Sequence, residues 1–260
     1  MKKNNSLYLS KNLVSKKDID NLYSTILVLF IKYFPDIFSW CEKKNYSNLW
    51  KVDKFHESLK KARKISPKKF GYIYDSIQVS YAAKKIMTSK KLLNLVEKFT
   101  KTSKKNFICF NSVIRLDPSF DDRNSVDWHY DVYPNSYKHI PEHGVTVQVS
   151  FHKTSHLHGA PIFLLESHKI RKNKLIISQK ARKQLKNSSY KYSFNENLIK
   201  NYKKKCFNTN SGDGVIFPMK LIHKSGVNVS GKFRISGIFR YYPINKSTFL
   251  PLKENYIPIE

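Results

Sequence analysis

In Trp128-His129-Tyr130-Asp131 a histidine and an aspartate stand two residues apart. On an extended strand alternate side chains share a face, so His129 and Asp131 would present an imidazole and a carboxylate side by side. Far along the chain, Leu221-Ile222-His223-Lys224-Ser225-Gly226 offers a second imidazole, that of His223. Two histidines and one carboxylate on one face of a metal form the donor set of non-haem iron(II) oxygenases, whose opposite positions stay open for chemistry. The His-Asp pair alone recurs often by chance, and its bland reading is an exposed strand end with a turn-forming Asp131. Eleven residues after His223 comes Arg234, in Phe233-Arg234-Ile235-Ser236. A guanidinium can clamp a carboxylate through two parallel bonds, and Ser236, at an alternate position of the same strand, adds a hydroxyl. Such a clamp suits the distal carboxylate of 2-oxoglutarate while its keto-acid end chelates iron. A hairpin turn through 226–231 would set His223 across from Arg234. Strands in two facing sheets would also let both point inward.

The elements that must position these residues follow from the apolar periodicity. Ser15 followed by Asp18 reads as a capping box opening a helix through about Phe34, where Pro35 stops it. Leu22, Ile26, Leu29 and Phe30 would form its buried stripe. A second helix begins near Ser89 with Leu92, Leu93, Val96 and Phe99 on one face, and Lys51 to Met87 reads as helix and loop. From Phe107 the period shifts to two. Phe107–Asp117 alternates, and Val145–Phe151 sets Val145, Val147, Val149 and Phe151 against Thr146, Gln148 and Ser150. Short strands are also expected at Trp128–Tyr133, Pro161–Leu165, Gly214–Phe217, Leu221–Ser225 and Lys232–Tyr242. Many short strands without alternating helices indicate an antiparallel barrel or sandwich. The expectation is an α+β chain with a mainly β core. Residues 1–106 form an N-terminal helical elaboration, 107–243 the core, and 244–260 a tail. A Lys-, Asn- and Ser-rich insertion, 169–209, is read as partly helical over one rim, as readily a solvated excursion as a lid.

By the same alternation Arg115 shares a polar face with Asn111, and Gln148 faces inward. Each could touch 2-oxoglutarate or an acidic substrate; the bland reading for Arg115 is an ordinary salt bridge. His139, His143, His152, His156 and His158 match no zinc spacing and are taken as loop or rim residues, with His156 and His158 near the cavity mouth.

The segments WHYD, GAPIFLLESHK, GDGVIF and HKSGVNVSGKFRIS together resemble the phytanoyl-CoA dioxygenase-like branch of the Fe(II)/2-oxoglutarate oxygenases, over roughly 107–243. The resemblance implies a double-stranded β-helix (jelly-roll, cupin-like) core with iron ligands His129, Asp131 and His223. It implies that Arg234 binds 2-oxoglutarate with Ser225 as a second contact, and that the strands of His223 and Arg234 lie on opposite sheets. The implied cofactors are Fe(II), 2-oxoglutarate as co-substrate, and O2. The family's Pro-Gly-Ser-His turn stands here as Leu165-Glu166-Ser167-His168, and VYPNSYKHIPEHG carries no recognised substrate signature. Related halogenases replace the carboxylate ligand by a small residue, so Asp131 points to oxygenation.

Composition bounds the partners. The net charge of +29 comes from 41 Lys and only 7 Arg, the drift expected of AT-rich codons rather than selection for phosphate reading. Nucleic acid therefore ranks below a small-molecule substrate such as a sugar, lipid, acyl or secondary-metabolite compound, with anionic ones favoured by the charge. A nucleic-acid-directed oxygenase and a non-enzymatic metal-binding β-barrel are the alternatives. Three cysteines at unrelated spacings give no disulfide framework, and the apolar run Ile26 to Ile31 is too short to span a bilayer, so the expected setting is the cytoplasm.

Overall fold

The computed structural model describes residues 6–41, 48–109, 112–121, 125–131, 143–170 and 196–244. Helix α1 (Lys16–Tyr33) starts at Ser15, whose Oγ accepts the Asp18 N–H at 3.1 Å and donates to the Asp18 carboxylate at 2.6 Å. Pro35 opens the short α2 (Pro35–Phe38). The segment read as helix and loop is three helices, α3 (Asp53–Ile65), α4 (Pro67–Val79) and α5 (Tyr81–Met87). Ser66 and Ser80 separate them, each capping the next helix by accepting a backbone N–H, and Pro67 sits in the first turn of α4. Helix α6 (Lys90–Thr100) begins where its stripe predicts, although only Leu92 and Val96 are fully buried. In α1 it is Leu27 that is buried with Leu22, Ile26 and Phe30, while Leu29 is half-buried.

Among the described residues nine strands build two sheets. They are β1 (Tyr8–Ser10), β2 (Phe107–Cys109), β3 (Val113–Asp117), β4 (Val145–Ser150), β5 (Ile162–Leu164), β6 (Lys204–Cys206), β7 (Gly214–Pro218), β8 (His223–Lys224) and β9 (Arg234–Pro243). The larger sheet has the order β1-β7-β4-β9-β2, with β3 also paired to β9, and the smaller has the order β6-β5-β8. Every pairing is antiparallel. The expected single strand over 107–117 is two strands on one edge of β9, and the N-terminal elaboration adds a strand, β1, as well as helices.

Two expectations need correction. Trp128–Tyr133 is not a strand where it is described: His129 makes one isolated bridge to His223, and Val132 and Tyr133 lie outside the described residues. A single bridge suffices because the segment needs only to hold two side chains, not a ladder. The insertion is not all excursion either. Its Lys204–Cys206 is a strand of the small sheet, following a short helix α7 (Glu196–Ile199), and 171–195 lie outside the described residues. The polar run hid this strand because only one flank of it meets the core.

Alternation in β4 and β9 decides what each face touches. Val145, Val147 and Val149 with Ile235, Phe239 and Tyr241 join Leu22, Ile26, Phe30, Phe55 and other helical residues in one core. Each such fully buried side chain contributes roughly 1.5–3 kcal/mol. The opposite face looks toward the small sheet, and Phe163 of β5 packs there on Val215 and Phe217 of β7. Polar side chains Arg115, Asp117, Thr146, Gln148, Ser150, Arg234, Ser236 and Arg240 occupy this inner face by parity with their buried neighbours. No described helix is long and apolar enough to cross a membrane.

The N-terminal residues also grip the start of β9. The Trp50 indole donates to the Phe233 carbonyl at 2.8 Å. His56 Nδ1 accepts the Phe233 N–H and His152 Nε2 accepts the Ile235 N–H, each at 3.1 Å. Trp50 and His152 stack with centroids 4.0 Å apart. Both histidines must be neutral to accept these bonds. Burial pushes His56 down to about 4 and His152 down to about 3, against the ordinary 6.5. A histidine depressed in the folded state confers stability above the unfolded value of 6.5 that is lost as pH falls toward the folded value. Between pH 7 and pH 5 each should therefore remove about 2 kcal/mol. Urea unfolding at the two pH values should show this loss, and His56→Gln should reduce it by about half of the pair's share; an unchanged pH slope would contradict the assignment.

Candidate metal centre and anion clamp

His129 and His223 face each other through paired main-chain bonds, His129 N–H to His223 O at 2.9 Å and the reverse at 2.8 Å. Their rings lie 4.3 Å apart. Each Nδ1 bonds the carbonyl two residues earlier, Asp127 at 2.7 Å and Leu221 at 2.9 Å. These bonds fix the tautomer, with Nδ1 carrying the proton and Nε2 as the ligating nitrogen. The Asp131 N–H donates to Met219 O at 2.9 Å, which completes the attachment of this segment beside the small sheet. One donor atom from each of His129, Asp131 and His223 lies within 4.8 Å of the others, a spacing suited to one ion. The expected metal triad thus converges in space.

Asp131 is held on both oxygens. Thr146 Oγ1 donates to Oδ2 at 2.6 Å, and Arg240 Nη2 donates to Oδ1 at 2.5 Å. Burial alone would raise its pKa, but the Arg240 guanidinium, the two histidines and the Thr146 hydroxyl outweigh it and hold Asp131 well below the carboxylate range. His129 is pushed down to about 3 by burial and by His223, and burial also lowers His223. The centre therefore offers two neutral imidazoles and one carboxylate at neutral pH, the state that binds a divalent cation. Phe163 and Phe217 flank His223, with centroids 5.8 and 4.9 Å away, and keep that wall apolar.

Arg234 lies on the same inner face at the opposite end of β9. Its Nε and Nη2 donate to Asp117 Oδ2 at 3.1 and 2.6 Å, and Nη1 donates to the Gly159 carbonyl. Arg115 bonds the same carboxylate, with Nη2 to Oδ1 at 2.8 Å. Asp117 is held low because these two guanidiniums overcome the burial that would raise it. Two guanidiniums thus share this one carboxylate. Beside it the Ser236 hydroxyl is buried and finds no hydrogen-bond partner among the described residues. Arg115 and Ser236 are direct cross-strand partners. A second carboxylate here would give the Ser236 hydroxyl a partner beside both guanidiniums. Gly159 has φ +74°, and a Cβ there would meet the Gly226 carbonyl at 2.8 Å, so only glycine brings this backbone under Arg234.

Of the remaining candidates, Gln148 is half-buried on the inner face between Val215 and Ile238. Ser225 is half-buried and donates its N–H to Val126 O at 2.8 Å. His158 stands near Trp50 rather than at the metal, and Asn111 and His139 lie outside the described residues. A cavity of about 520 Å³ lined by Tyr23, Trp50, Phe151 and His152 among others contains none of the candidate residues. The sequence reading missed Asp117, Thr146 and Arg240. Parity could have found all three, since each shares the face of Arg115, Gln148 or Arg234.

The phytanoyl-CoA dioxygenase (PhyH) family model matches residues 12–236. This chain belongs to that family. It is an enzyme of the iron- and 2-oxoglutarate-dependent oxygenase type. Among solved structures, AviO1 from Streptomyces viridochromogenes is 14% identical, with a TM-score of 0.56 over 96% of this chain and 94% of that one. The epimerase SnoN in complex with Fe3+, alpha ketoglutarate and nogalamycin RO is 12% identical, with a TM-score of 0.57 over 92% and 80%. The non-heme monooxygenase ThoJ, as its Ni complex, is 11% identical, with a TM-score of 0.55 over 92% and 74%. At these identities the likeness is one of fold. No curated protein matches the sequence. In the turn after β5, where the resemblance sets a Pro-Gly-Ser-His sequence, Glu166 takes the glycine position with φ 66°, a left-handed residue costing about 1 kcal/mol. Ser167 stabilises that turn, donating to Leu164 O at 2.8 Å and accepting the Ile222 N–H at 2.9 Å, next to His223.

The metal-free centre makes a sharp mutational contrast. Asp131→Ala leaves the Arg240 guanidinium buried without its carboxylate and should destabilise the metal-free protein by roughly 3–5 kcal/mol. His129→Ala removes no charge and should cost far less, while abolishing stabilisation by added divalent metal. Thermal melts with and without metal separate the two; equal metal-free losses would contradict the buried pairing.

Proposed function

We propose that this chain is an Fe(II)- and 2-oxoglutarate-dependent dioxygenase that hydroxylates a small metabolite and releases succinate and CO2. The convergence of His129, Asp131 and His223, with the buried Arg234–Asp117–Arg115 cluster on the same inner face, carries this reading. A simple metal-binding barrel has no use for the clamp. In this reading His129 Nε2, Asp131 and His223 Nε2 hold the iron. Arg234 and Ser236 bind the distal carboxylate, with Arg115 supplying the second cation. Ser225 and Gln148 are further contacts for the co-substrate or substrate. Held by these residues, iron would supply the oxidising chemistry, in which one oxygen atom of O2 would go to succinate and one to the substrate.

The chain's own tasks are positional. The Nδ1 bonds to Asp127 and Leu221 keep both imidazoles turned inward. Phe163 and Phe217 exclude water beside His223, which protects a reactive oxidant from side reactions. Asp117 presents the Arg234 and Arg115 guanidiniums in fixed orientation, so little reorganisation accompanies anion binding. Arg234 and Arg240 are six residues apart, roughly 20 Å between Cα atoms on a strand. The long arginine side chains and the co-substrate close that interval.

The substrate reading is a small organic molecule, with anionic compounds favoured. The lysine-rich composition attracts anions at low salt, and three arginines, Arg115, Arg234 and Arg240, lie on the inner face. Preference for neutral or cationic compounds in a substrate screen would count against that charge argument.

Succinate formation from 2-oxoglutarate tests the core of the proposal, using anaerobically purified, iron(II)-loaded protein exposed to air. His129→Ala should lower turnover at least ~100-fold. Arg234→Ala should raise the half-saturating 2-oxoglutarate roughly 10–100-fold, the value of charge-assisted bonds to a carboxylate. Absence of both succinate formation and calorimetric 2-oxoglutarate binding in the unaltered protein would refute it.

A further inference from the structure

Asp131 is gripped asymmetrically. Oδ2, bonded by Thr146, is the oxygen 3.9 Å from His223 Nε2, whereas Oδ1 is taken by the Arg240 guanidinium at 2.5 Å. Thr146 and Arg240 are direct partners across β4 and β9, so a single register places both donors. Both Arg240 and Asp131 are buried, which makes this charge-assisted bond strong and hard for water to replace. One carboxylate oxygen therefore faces the imidazoles, and the other is turned to the strand.

We propose that Arg240 is a positioning residue that holds Asp131 to one-oxygen ligation and so preserves the coordination position that the co-substrate needs. The inference rests on the iron and 2-oxoglutarate reading above. Iron held by one atom each of His129, Asp131 and His223 would need its other positions for the chelating keto acid and O2, and a carboxylate that swung to ligate through both oxygens would consume one of them. Arg240 opposes that swing by occupying Oδ1. Arg240 reaches Oδ1 through Nη2, and lysine would retain the charge but not the planar guanidinium that directs this donor.

The test is an anaerobic titration of iron(II)-loaded protein with 2-oxoglutarate, following the visible charge-transfer absorption of the chelate. Iron content is measured in parallel for the unaltered protein, Arg240→Gln and Arg240→Lys. The proposal expects Arg240→Gln to take up iron yet to need roughly 10–100-fold more 2-oxoglutarate for half-saturation. Arg240→Lys should fall between it and the unaltered protein. An Arg240 that merely balances buried charge would change melting and iron uptake but leave half-saturation of the iron-loaded fraction unchanged, and that result overturns the proposal. Should Arg240→Gln fail to fold by circular dichroism, Arg240→Lys decides alone: a raised half-saturation supports the role and an unchanged one overturns it. Absence of the absorption in the unaltered protein would instead sink the iron and 2-oxoglutarate reading itself.

Discussion

The pairing of β4 with β9 is the constraint on which the rest of this molecule depends. Val147 opposite Phe239 and Val149 opposite Gly237 build the helix-facing core, while Thr146 opposite Arg240 and Ser150 opposite Ser236 build the cavity wall. Side chains alternate with period two, so a slip of one residue would turn valines into the cavity and guanidiniums into the hydrophobic core. The cost of burying Arg234 and Arg240 against aliphatic helices makes that alternative untenable. Core packing and site assembly are thus one register seen from two sides.

The inner wall buries several charges, and each is answered. Asp131 is matched by Arg240, and Asp117 by Arg115 and Arg234. Buried pairs of this kind add little net stability compared with apolar packing, and losing one partner is expensive. Their retention makes sense if orientation is what they supply. At one end two guanidiniums share Asp117, and the Ser236 hydroxyl beside them finds no partner among the described residues. The helices serve the same end from behind, since Trp50 and His56 fix the backbone flanking Arg234.

Much of this was legible from residue types and spacing. The His-x-Asp pair, the later His223 and the Arg234–Ser236 alternation pointed to the centre and clamp before any coordinates. Period-two apolar runs located β4 and β9, which have one apolar face, while β5 and β7 stood out as short apolar runs buried on both faces. Facing sheets, one of the two geometries that would aim His223 and Arg234 inward, is the arrangement found. What was hidden is instructive. The His129 segment contributes one bridge instead of a strand, and Lys204–Cys206 is a strand with two exposed lysines, so neither carries an apolar period. Arg240 went unnoticed although arginine is scarce: of the four described arginines, Arg63, Arg115, Arg234 and Arg240, three lie on the inner face of the large sheet, in a chain with 41 lysines. In such a background each arginine is a candidate for a place that needs a rigid fork.

The most direct test of the account is where a metal ion binds. Crystals grown anaerobically with cobalt(II), which takes the same ligands as iron(II), would show it in an anomalous difference map. The account predicts one strong peak within bonding distance of His129 Nε2, His223 Nε2 and one oxygen of Asp131. A peak elsewhere, or none between these three residues, would contradict it.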